Sequence, residues 1–133
     1  MAQNNKNNFI VIDDSKLDCF IAERIIKNTG RCESIISFLQ AKDALEHISK
    51  TPASAPYPVI ILVDIQMPVM NGFQFVAAFE NLSDTIKNNY IIYLISSSIN
   101  DEDLGKVHLY PSIKQFLNKP ITSNMLSVLL AKE

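Results

Sequence analysis

Val59-Ile60-Ile61-Leu62-Val63-Asp64 is an unbroken run of branched apolar residues closed by a carboxylate. The run is too short for a helix and rich in β-branched residues. Continuous apolarity of this kind marks a strand covered on both faces, as strands of parallel sheets are. Working outward, Phe9-Ile-Val-Ile12 is a shorter run of the same type, and it ends in Asp13-Asp14. Tyr90 to Ile95 ends in Ser96, and Ile113 to Leu117 leads into Asn118-Lys119-Pro120. Glu33 to Phe38, with Ile35, Ile36 and Phe38, supplies a fifth strand.

Between these runs the apolar period changes from strand-like to helical. Leu17, Phe20, Ile21, Ile25 and Ile26 follow Ser15, a suitable N-cap, and Asn28-Thr29-Gly30 is a stop signal. Ala41, Leu45 and Ile48 share one helical face, as do Phe73, Val76 and Ala77 with Leu82 near the end. Asp101 to His108 reads as a weak, polar helix. A last helix, capped by Thr122 or Ser123, carries Leu126, Leu129 and Leu130. Asn71-Gly72 and Met67-Pro68 read as tight turns in a loop, and the Pro-rich segment 51–58 reads as a surface connection. Strand and helix alternate five times. That alternation predicts an α/β fold, a doubly wound parallel sheet with helices on both faces.

The downstream strand ends of an open parallel sheet share one edge, and ligands bind in the crevice there. Asp13, Asp14, Asp64, Ser96 and Lys119 would therefore converge. Three neighbouring carboxylates repel one another unless a cation joins them. Hard oxygen ligands with room for water suit Mg²⁺, which commonly brings a phosphate. A carboxylate ending the most apolar, hence central, strand can attack phosphorus to form an acyl phosphate. Lys119 would supply a compact positive charge to a phosphoryl oxygen. Pro120 biases Lys119 towards extended backbone, and the bond between them is of the type that can be cis.

Composition narrows the class. The chain has 133 residues, 47% of them hydrophobic and 20% charged, with a formal net charge of −2. It is large enough for one core and has no basic stripe, so no direct contact with nucleic acid is expected. Met1 to Asn8 is polar and Asn-rich, a flexible segment before a domain spanning 9–133. It lacks the apolar stretch of a signal peptide, and no run approaches the ~20 residues of a membrane span. Cys19 and Cys32 have no metal-ligand spacing and read as free thiols in a reducing cytoplasm. His47 and His108 have no partners spaced for a metal and read as surface or packing residues.

The ordered set resembles the receiver domain of two-component response regulators, of the stand-alone, chemotaxis-regulator-like kind. The resemblance is carried by Asp13-Asp14, Asp64 with Met67-Pro68 and Asn71-Gly72, Ser96, and Lys119-Pro120, from about Phe9 to Ala131. The intervals Asp14 to Asp64, Asp64 to Ser96 and Ser96 to Lys119 are 50, 32 and 23 residues. The resemblance implies a flavodoxin-like sheet of order 2-1-3-4-5 in a single domain. It implies that Asp64 accepts a phosphoryl group from a histidine of a sensor histidine kinase or histidine phosphotransfer protein. It implies a Mg²⁺ held by Asp13, Asp14, Asp64 and the backbone carbonyl of Gln66, with Ser96 and Lys119 contacting the phosphoryl group. Phe116 stands at the aromatic switch position, where many relatives carry Tyr. A downstream protein target would bind the face made by the helix at 101–108, the fifth strand and the last helix. The competing reading is a Mg²⁺-dependent aspartyl-phosphate hydrolase of the haloacid-dehalogenase type. Such enzymes carry an acid two residues after the nucleophile, where this chain has Gln66. A flavodoxin-type FMN site is disfavoured because Asp13-Asp14 would repel its phosphate.

Overall fold

A computed structural model describes residues 6–50, 52 and 57–131 of the chain. Five strands, β1 (Asn7–Ile12), β2 (Cys32–Phe38), β3 (Val59–Asp64), β4 (Tyr90–Ser96) and β5 (Ile113–Asn118), alternate with helices. The helices are α1 (Lys16–Asn28), α2 (Ala41–Lys50), α3 (Gly72–Phe79), α4 (Asp84–Lys87), α5 (Asp101–Val107) and α6 (Ser123–Ala131). The strands form one sheet in the order β2-β1-β3-β4-β5, every neighbouring pair parallel. This is the order that the resemblance implies.

Side chains alternate across a strand, and the two faces of the sheet make two cores. Ile10, Ile12, Ile61 and Val63 pack with Ala41, Ala44 and Ile48 of α2 and with Phe73, Val76 and Phe79 of α3. Phe9, Val11, Ile60 and Leu62 pack with Cys19, Ala22 and Ile26 of α1 and with Leu126, Leu129 and Leu130 of α6. All six residues of β3 are buried, which explains its unbroken apolar sequence. The Pro-rich connection expected at 51–58 falls largely outside the described residues, as does most of the expected flexible start. β1 begins at Asn7, inside that expected segment. Asn7 is buried, and its side-chain amide donates to the Pro58 carbonyl at 2.8 Å.

Three local readings change. The predicted apolar face of α1 is buried only in part: Ile26 is in the core and Ile25 packs against it, but Leu17, Phe20 and Ile21 are exposed, and Cys19 and Ala22 face the sheet instead. Small residues at the contact let a helix approach the strands closely, and that packing overrides the larger apolar stripe. Residues 84–87 form a short helix that the periodicity did not mark, so the helix at 101–107 is the fifth and the last helix the sixth. Asn71-Gly72 begins α3 rather than closing a loop turn. Asn71 caps the helix, its Oδ1 accepting from the Gln74 N–H while the Gln74 side chain accepts from the Asn71 N–H, each at 2.9 Å.

Gly72 also brings α3 against the end of β3. Its N–H donates to the Ile65 carbonyl at 2.9 Å, and a Cβ there would lie 2.8 Å from the Asp64 carbonyl oxygen. Gly72→Ala is therefore expected to cost roughly 1–3 kcal/mol, the scale of overpacking, read as a lower urea midpoint. A midpoint equal to wild type would sink the close-approach account.

Candidate functional site

Asp13 leaves the end of β1 as a buried residue, tied down at both carboxylate oxygens. Oδ1 accepts from the Ser15 N–H at 3.0 Å, and Oδ2 accepts from the Lys119 ammonium at 2.8 Å. Asp14 is exposed. Asp64 is buried at the end of β3, with Oδ2 3.6 Å from Lys119 Nζ and Oδ1 3.4 Å from the Gln66 N–H. Carboxylate oxygens of Asp13, Asp14 and Asp64 lie within 4.8 Å of one another. The topology thus unites the three carboxylates that the strand ends predicted. Among the described residues, this is the group of acidic, His or Cys side chains suited to a metal ion; neither histidine belongs to it. His47 instead packs its ring against Phe38, 5.5 Å between centroids.

The electrostatics favour a divalent cation. With all four groups ionised, Asp13, Asp14 and Asp64 against Lys119 leave two negative charges in excess, which such an ion would offset. Burial pushes the Asp64 carboxyl above its usual range; the Lys119 ammonium opposes this, and the Asp13 charge adds to it. Burial works against the Lys119 charge, but the hydrogen bonds from its ammonium to Asp13 and Asp18 outweigh that and hold it above the usual lysine range. The donor set, carboxylates with one of them solvent-facing, fits Mg²⁺.

Ser96 ends β4 fully buried, its Oγ accepting from the Ser98 N–H at 3.1 Å. Its carbonyl accepts from the Lys119 N–H at 2.9 Å, so β4 and β5 deliver the hydroxyl and the ammonium to the same edge. The Lys119–Pro120 peptide bond is cis. Gln66 is exposed beside Asp64, and Phe116 is half-buried against the core on the α2 and α3 face. A cleft of about 370 Å³ opens beside Lys119, with Asp13, Asp18, Ile21, Ser97 and Ile121 among its walls.

Asp18 is the site residue that the sequence reading missed. It stands in the first turn of α1 and accepts from Lys119 Nζ at 3.0 Å. An acidic residue in the first helical turn was visible, but such residues usually serve the helix dipole, and nothing local points to a lysine 101 positions away.

Comparison with known proteins decides the family. Residues 9–131 match the model of the response regulator receiver domain. The chain belongs to that family. This receiver is 35% identical over 118 residues to protein PilG of Pseudomonas aeruginosa, covering 88% of this chain and 79% of PilG. It is 26% identical over 133 residues to sensor histidine kinase CheAY of Helicobacter pylori, spanning 98% of this chain but 16% of that protein. A crystal structure of a two-component response regulator from Cytophaga hutchinsonii superposes with a TM-score of 0.85 at 30% identity, over 96% of each chain. The receiver is a module of two-component signalling, and the hydrolase alternative finds no support in these likenesses. No helix among the described residues is long and apolar enough to cross a membrane.

Proposed function

We propose that Asp64 is the phosphoacceptor of this receiver. The observation that carries the reading is the placing of its carboxylate within 4.8 Å of those of Asp13 and Asp14 and 3.6 Å from an ammonium. An Asp64 oxygen attacks the phosphorus of a phosphohistidine, the new O–P bond replaces the N–P bond, and the imidazole leaves with the electron pair. Lys119 meets the negative charge on the phosphoryl oxygens. The Ser96 hydroxyl hydrogen-bonds the group once it is in place. Asp13, Asp14, Asp64 and the Gln66 carbonyl would hold Mg²⁺, which when bound supplies charge neutralisation for the phosphoryl oxygens. The donor is a sensor histidine kinase or histidine phosphotransfer protein; the likeness to CheAY supports a kinase partner. The free thiols Cys19 and Cys32 support a cytoplasmic setting. The chain's only turnover is uptake of the phosphoryl group and its own later hydrolysis. Incubation with acetyl phosphate and Mg²⁺ tests the reading: one phosphoryl group per chain is expected by mass spectrometry, and no uptake would overturn it.

Phosphorylation switches the face built from α5, β5 and α6, where the downstream target docks. Support comes from α5, which has no buried residue and leaves Leu104 exposed, with Leu109 exposed just after it. Few buried contacts make a segment the cheapest to move. A group of about −2 charge at Asp64 draws on Ser96 at the end of β4 and Lys119 just after β5, the strand that carries Phe116. Hydrogen exchange with beryllofluoride as phosphoryl mimic should change across residues 96–120. Equal protection with and without the mimic would reduce the receiver to a store for phosphate.

A further inference from the structure

Asp18 lies outside the carboxylate cluster, yet it shares the lysine of that cluster. Its backbone N–H is fixed by Ser15 Oγ at 3.1 Å, which sets the first turn of α1. Its carboxylate then reaches Lys119 Nζ at 3.0 Å, beside the Asp13 contact at 2.8 Å. An ammonium has three donors, and two of them are taken. The Asp64 oxygen, at 3.6 Å, is beyond hydrogen-bond length. Lys119 is therefore held between two carboxylates and short of the one that would carry the phosphoryl group.

We propose that Asp18 is a positioning residue that restrains Lys119 in the unphosphorylated receiver, so that phosphoryl engagement at Asp64 proceeds as Lys119 loosens from Asp18. This inference rests on the reading of Asp64 as phosphoacceptor. The two partners of Lys119 are not equivalent. The Asp13 side chain is 8% exposed and bonded at its other oxygen as well, so it is fixed. A cation in the cluster would draw charge from Asp13 but leave Asp18 untouched. The Asp18 side chain is 41% exposed at the wall of the cleft beside Lys119, where water can take over its hydrogen bonds. Asp18 is thus the partner that can let go. Its charge also repels a phosphoryl dianion. Removing that charge weakens the hold on Lys119 and relieves the repulsion, and both effects have the same sign.

Beryllofluoride titration in saturating Mg²⁺, followed by fluorine NMR, tests the restraint. Asp18→Asn should bind the mimic roughly three- to fivefold more tightly than wild type, the scale of a half-exposed ion pair. Asp18→Glu, which keeps the charge, should return towards wild type, and the distant charge removal Glu46→Gln should change nothing. In the metal-free protein, NMR should show the protons of the Lys119 ammonium exchanging faster with water in Asp18→Asn than in wild type or Asp18→Glu, because the ion pair that holds them is weakened, a signature that a purely structural role of Asp18 would not produce. A wild-type protein that binds no beryllofluoride overturns the reading of Asp64 and the inference with it. A wild-type protein that binds it, with an Asp18→Asn variant that binds it no better, overturns the inference alone.

Discussion

Asp64→Asn leaves less than about one hundredth of the wild-type phosphoryl uptake, because the amide that replaces the carboxylate is not a nucleophile towards phosphorus. The replacement is nearly isosteric, so loss of uptake cannot be traded for loss of fold. Stability provides the second readout. Burial first, and the neighbouring Asp13 charge next, raise the folded-state pKa of Asp64, against the opposing pull of Lys119 and the Gln66 N–H. A carboxyl whose folded pKa is raised contributes stability below its unfolded pKa and loses it as pH climbs through the folded one. At neutral pH the ionised, metal-free Asp64 is thus a net cost. The metal-free variant should melt above wild type at pH 7, and the gap should close as the pH is lowered towards the carboxyl range. Labelling equal to wild type would remove Asp64 from its role. A melting temperature well below wild type would make Asp64 a structural residue.

Asp14→Asn should weaken Mg²⁺ binding at least about tenfold, because a neutral amide replaces one of the charged hard ligands. Asp14 is the exposed member of the cluster, so its removal should leave the fold intact and slightly raise apo stability by easing like-charge repulsion. Asp13→Asn makes the contrast. It removes the charge from the shortest contact of Lys119, 2.8 Å to a buried carboxylate, and should lower both Mg²⁺ affinity and stability. Calorimetric titration with Mg²⁺ and thermal melts of the same samples separate the two. Undiminished Mg²⁺ affinity in Asp14→Asn would take that residue out of the metal site, and a large loss of apo stability would assign it to the fold.

Much of the site was legible because strand ends in a parallel sheet are a topological address. Once Val59–Asp64 is read as a central strand and four similar runs flank it, the positions of Asp13, Asp64, Ser96 and Lys119 along the chain place them on one edge without knowledge of any contact. The face of α1 was legible at Ile25 and Ile26, which pack on the core, and not in its first half. There both the large apolar residues, Leu17, Phe20 and Ile21, and the small ones, Cys19 and Ala22, have helical spacing. Choosing between them needs the distance from helix to sheet. The α4 turn at 84–87 is too short to show a period.

The sequence by itself determined the alternation of five strands and their intervening helices, and with it the shared edge at which carboxylates, hydroxyl and ammonium gather. Apolar period and chain order are local, and they suffice for that. Only the tertiary structure decided which carboxylates hold Lys119. The rotation of α1 about its axis brings Asp18 to Lys119, and a hydrogen bond across 101 positions depends on that angle and on side-chain reach, which no local period encodes.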